Sequence, residues 1–141
     1  MIELIYVIVI LGILAAIAIP KLGSVREDAV ITKGKSQVAS IRSGIAMLKS
    51  KRLLEGNTTL PQQLDSADIN GTSLFTDIIA DYPIYSKGNS DNGWMKITTN
   101  TPNPISYQYY VSASPVQFDY NKSTGLFDCT PHTGFCKELT E

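Results

Sequence analysis

The stretch Ile2-Glu3-Leu4-Ile5-Tyr6-Val7-Ile8-Val9-Ile10-Leu11-Gly12-Ile13-Leu14-Ala15-Ala16-Ile17-Ala18-Ile19-Pro20 decides how the whole chain is read. Of the first 20 residues 17 are hydrophobic and only Glu3 is charged, whereas the other 121 residues hold 44 hydrophobics. As a helix at 1.5 Å per residue this run is about 30 Å long, the thickness of a bilayer's hydrocarbon core. A helix that is apolar on every face must lie in lipid or be enclosed by other apolar material, and the rest of the chain holds too little to enclose it. A cleaved signal peptide would carry a basic n-region and a small-x-small site before a polar mature start. Here the helical pattern continues instead.

Beyond Pro20, Leu22, Val25 and Ala29 recur at spacings of three and four; after an offset, Ile31, Val38, Ile41, Ile45 and Leu48 continue the series, with Gly34 at its missing step. This periodicity predicts one amphipathic helix with Lys35, Arg42 and Lys49 on its remaining surface. Gly56 and Asn57 are favourable C-terminal residues and Pro61 follows, so the helix should stop near Glu55. Pro20 falls inside it, where the missing N–H should kink or loosen the backbone. Gly12, Gly23, Gly34 and Gly44 weaken it or allow close approach of another segment. The expected organisation is a transmembrane or core helix over residues 1–20, its amphipathic continuation over 21–55, and a globular head over 56–141.

In the head, residues 57–93 are rich in Asn, Ser, Asp and Gly, with short helices expected at Pro61–Leu64 and Leu74–Ala80. Strands are predicted at Trp94–Thr98, Ser106–Val111, Val116–Tyr120 and Leu126–Cys129, separated by turn chemistry at Thr101–Pro104, Ala113–Pro115 and Asn121–Gly125. Short connections favour an antiparallel meander whose apolar face covers the stripe Val38 to Leu48. The fold class is therefore α+β, a long N-terminal helix packed on a small antiparallel sheet.

The net charge of −1 conceals a segregated layout. Residues 21–55 carry eight Lys/Arg against three Asp/Glu, and residues 56–141 carry four against nine. A basic stalk thus precedes an acidic head, which argues against nucleic-acid binding by the head. The stalk cations are read mainly as solvated, with local pairs such as Arg52 to Glu55; the other readings are anionic lipid and the acidic head of a neighbour. Cys129 and Cys136 would be joined in an exported domain and unpaired in a reducing one. Together with His132 they make only three ligands, so no metal or other cofactor is expected. His132 is the lone histidine and no Ser or Cys has an evident base, so the chain is not expected to be an enzyme. Gly88–Gly93 lacks the carboxylate spacing of a calcium loop and reads as a turn. Tyr107, Tyr109 and Tyr110 read as sheet packing, and Asp119 and Asp128 as strand residues that meet at one edge.

The opening run resembles the N-terminal helix of type IV pilins and type II secretion pseudopilins, with the single Glu, the Gly and the Pro at the family's spacing. The resemblance covers about the first 25 residues in detail. It implies a subunit held by one helix in the inner membrane with its head in the periplasm, assembled into a helical filament in the periplasm or at the cell surface. It also implies copies of itself and related subunits, an inner-membrane assembly platform, a prepilin peptidase and the lipid bilayer as partners. In that family the acid, here Glu3, is thought to neutralise the terminal amine of a neighbour. Gly12 and Pro20 would permit packing and bending, and a Cys129–Cys136 bond would tie down the head's C-terminal edge. Relative to the family pattern Met1 falls at the third mature position, so an in-frame basic leader ending in Gly, followed by Phe-Thr, is expected upstream. By the positive-inside rule alone the stretch Lys21 to Arg52 would face the cytoplasm, and that leader would reverse the preference. The alternative is a singly anchored periplasmic binding module that does not polymerise.

Overall fold

The structure, a computed structural model, describes residues 1–88 and 92–141. One helix, α1 (Ile2–Leu54), runs unbroken through Pro20. Its end is a close fit to the glycine-terminated cap that the sequence announces. Gly56 takes φ +78°, the N–H of Gly56 donates to the Leu53 carbonyl at 3.1 Å, and that of Asn57 to Arg52 at 2.8 Å.

Two antiparallel sheets follow. The smaller pairs β1 (Ser73–Leu74) with β2 (Ile84–Tyr85), and the larger is a meander in the order β3 (Trp94–Lys96), β4 (Ile105–Val111), β5 (Ser114–Asn121), β6 (Leu126–Cys129). A short helix, α2 (Phe135–Thr140), ends the chain. The molecule is thus α+β, a long helix on a small antiparallel sheet. Register places Trp94 opposite Tyr109, Tyr107 opposite Phe118 and Tyr120 opposite Phe127. These side chains and Phe75 fill the core, with Phe118 stacked on Phe127 at 5.3 Å and Phe75 edge-on to Trp94 at 5.4 Å.

The head covers the stripe from Val38 to Ile45, with Leu48 only half-buried, and packing also reaches back to Gly34 and Val30, while Leu22 and Val25 stay exposed. Three expectations need correction. Residues 61–64 are not helical. There the backbone is held by tertiary partners instead, since Tyr120 Oη donates to the Pro61 carbonyl at 2.8 Å and Leu64 O accepts from Asp77 N. Residues 74–80 are not helical either: they form a single hydrogen-bonded turn closed on the Phe75 carbonyl, because Leu74 is a strand residue and Phe75 takes φ +60°. Arg52 does not pair with Glu55; its guanidinium donates to the Leu60 carbonyl at 3.1 Å. The acidic middle of the stretch Gly88–Gly93 lies outside the described residues.

Candidate assembly surface

The site is built by what the head leaves uncovered. Near the exit point Ser112 Oγ donates to Glu27 Oε2 at 3.1 Å, and from Met1 to Val25 every side chain is exposed. Ile10 is the most covered large apolar side chain there and is still 41% exposed, so only its own helix shields it. The segment is long and apolar enough to cross a membrane.

Glu3 lies in the first turn of this bare helix, where an acid is favoured by the unpaired N–H groups. Among the described residues it has no ion-pair or hydrogen-bond partner. A side chain built on Gly12 would meet nothing within 4 Å, which leaves its face open to another helix. Pro20 lies inside the bare segment, ahead of the docked part of α1 that begins at Val30. Glu3, Gly12 and Pro20 therefore share one rod and do not converge on a pocket.

The remainder of α1 is fixed to the head at two of the glycines expected to allow close approach, and by polar clamps that sequence reasoning missed. A Cβ on Gly34 would lie 2.5 Å from Leu139 Cδ2, and one on Gly44 would lie 2.7 Å from the Ile78 carbonyl oxygen. Both glycines mark places where the head touches the helix backbone. Polar clamps flank them. Tyr109 Oη donates to the Val30 carbonyl at 2.8 Å, Trp94 Nε1 to Gln37 Oε1 at 3.1 Å, and Arg42 to the Phe127 carbonyl and to Asp128 at 2.9 Å. Asp119 and Asp128 do face each other across β5 and β6, but each has its own donor, Ser106 Oγ for the first and Arg42 for the second.

Cys129 on β6 and Cys136 on α2 are bonded, with Cα atoms 5.9 Å apart. The bond holds α2 where Leu139 meets Gly34, so it secures the seat of the rod as well as the chain end. Reduction is expected to lower stability by about 2–3 kcal/mol. Urea unfolding of the full chain in detergent, with and without reductant, checks this, and an unchanged midpoint would refute it. In the enclosed loop His132 is exposed with Nε2 3.3 Å from Asp128, while Phe135 is half-buried against the core.

Behind the sheet is a second cluster with no forewarning except the spacing of Lys96, two residues after Trp94 and so on the same inward face. Lys96 and Asp65 are fully buried and paired at 2.6 Å. Asp65 also accepts from Tyr107 Oη at 2.8 Å and from the backbone N–H groups of Phe75 and Ala67. Burial, then the Asp65 carboxylate, pushes the Tyr107 phenol up, and burial alone pushes Tyr109 up to about 12. Tyr120 is likewise raised by burial, with Arg52 opposing.

In shape the molecule is pilin-like: a long apolar N-terminal helix on a small antiparallel sheet with a disulfide. Compared with models of protein families, with curated proteins and with solved structures, the chain matches none of them.

Proposed function

We propose that the chain is a filament-forming structural subunit of the type IV pilin or type II secretion pseudopilin kind, anchored in the inner membrane with its head in the periplasm. The observation that carries this reading is the bare apolar rod of residues 1–25, bearing one carboxylate and joined rigidly to a head. A single membrane anchor needs no acid, and an acid within lipid is costly unless a cation meets it. In a bundle of such rods the amine of a neighbouring subunit supplies that cation, and the low dielectric makes the pairing strong. Assembly, not catalysis, is the activity. Gly12 gives a close-packing point, Pro20 a place to bend, and the basic stalk and acidic head suit stacking of copies in one direction. The platform, the peptidase and related subunits are the partners this reading requires.

The test is Glu3→Ala. The variant keeps its apolar length and should still enter the membrane, while its recovery in sheared or pelleted filaments is expected to fall about a hundredfold or more, the consequence of leaving a buried partner charge alone. Undiminished incorporation of membrane-inserted variant would refute the assembly role and favour the singly anchored binding module.

A further inference from the structure

Lys96 is a nucleophile enclosed in the core that filament assembly does not use. Its Nζ donates to Asp65 Oδ1 at 2.6 Å, to the Ala67 carbonyl at 2.7 Å and to Asn100 Oδ1 at 2.7 Å. Two of those contacts form an ordinary buried ion pair with its extra acceptor. The third is a side-chain amide, and it is held from both ends: Asn100 Nδ2 donates to the Asp65 carbonyl at 2.8 Å, and the Asn100 main-chain carbonyl accepts from Lys122 Nζ. Amine, carboxylate and amide therefore converge in one place, walled by the Tyr107 ring, whose centroid is 5.8 Å from Nζ, and by the Phe75 ring, tilted against Tyr107 at 4.6 Å.

We propose that Lys96 and Asn100 become joined by an intramolecular isopeptide bond in the folded head, with Asp65 relaying the protons. Cγ of Asn100 is one carbonyl bond from Oδ1, so it lies at most about 3.9 Å from Nζ. A productive contact is about 3–3.5 Å. Rotation of the lysine end closes the difference without moving the backbone. Transfer of one proton along the short hydrogen bond to Asp65 leaves a neutral amine with a free electron pair. That pair attacks Cγ, and the C–N bond forms as the carbonyl electrons move to Oδ1. Asp65 takes a second proton from the attacking nitrogen and returns protons to Nδ2; the carbonyl reforms, the Cγ–Nδ2 bond breaks, and nitrogen departs as ammonium. The net change converts a lysine ammonium and a primary amide into a secondary amide and one ammonium ion. Asp65 ends as it began, and no oxidant, reductant or cofactor enters. Asn100 is only half-buried, so the leaving group has a way out. The ammonium carries its charge out to solvent, and the Asp65 carboxylate left behind keeps the Tyr107 hydroxyl and the Phe75 and Ala67 N–H groups as donors.

The experiment is mass spectrometry of the full chain, purified from cells, denatured, reduced and digested with trypsin. The proposal expects no cleavage after Lys96 and a peptide spanning residues 88–122 that is lighter than its sequence by one ammonia. In the Lys96→Arg chain the same region is expected at its full mass, with cleavage after Arg at position 96. Full mass and normal cleavage at Lys96 in the wild-type protein overturn the proposal. Loss of ammonia with Lys96 still cleaved also overturns it, since that is cyclisation of Asn100 on its own backbone. So does a loss of ammonia that persists in Lys96→Arg.

Discussion

Asp65→Ala is expected to destabilise the head by about 3–5 kcal/mol, the cost of leaving a buried charge without its partner. The Lys96 ammonium would keep only the Ala67 carbonyl and the Asn100 amide oxygen. Tyr107 Oη and the Phe75 N–H would lose their acceptor as well. Each unsatisfied buried donor costs about 1–3 kcal/mol, so the loss is not confined to the ion pair. Removing the stranded cation too, in Asp65→Ala/Lys96→Met, is expected to cost less than the single change, because only neutral groups are then left unpaired. Urea unfolding of the full chain in detergent measures both. A loss below about 1 kcal/mol for Asp65→Ala, or a double variant weaker than the single one, would contradict this account.

Gly34→Val is expected to be comparably damaging for the opposite reason, excess volume. The first added carbon alone would stand 2.5 Å from Leu139 and 2.6 Å from the Tyr109 ring. Neither neighbour can yield easily. Leu139 is 1% exposed under the disulfide-held α2, and Tyr109 is fully buried, 5.0 Å from Trp94 and bonded to the helix carbonyl of Val30. Overpacking costs about 1–3 kcal/mol, and a β-branched residue regains only a fraction of the roughly 1 kcal/mol that alanine would return in helix propensity. A net loss of about 2–3 kcal/mol follows. Gly23→Ala is the matched control. Nothing lies within 4 Å of the new carbon, so it should raise monomer stability by up to about 1 kcal/mol. Equal midpoints for the two variants would show that the helix–head seat is looser than described.

What was legible in the sequence was whatever rests on local chemistry or on long periodicity. The uninterrupted apolar run gave the rod, Gly56-Asn57 gave its end, and alternation with turn residues gave four strands in meander order. The candidate assembly residues were legible for the same reason, because Glu3 is conspicuous against residues that cannot carry charge. The Asp65–Lys96–Asn100 cluster was not, since its members come from a loop, a strand and a turn, and no period links positions 65, 96 and 100. The expected helix at Leu74–Ala80 lost to a tertiary demand: Phe75 adopts a positive φ so that its ring reaches the core and its N–H reaches Asp65. For Leu22 and Val25 the spacing was that of the same apolar stripe, and the head ends above them. Periodicity shows which face is apolar and not what covers it.

The seat at Val30 and Gly34 turns α1 into a lever. From Val30 to Glu3 the helix runs about 40 Å. A rotation of the head by about 10° would therefore sweep Glu3 sideways by roughly 7 Å, more than the reach of an ion pair. The clamps that forbid such rotation and the carboxylate at the far tip thus work on one tolerance. Flexure at Pro20 acts through only about 26 Å of that arm, so in the proposed filament it would correct the aim of the tip while the head stays in place.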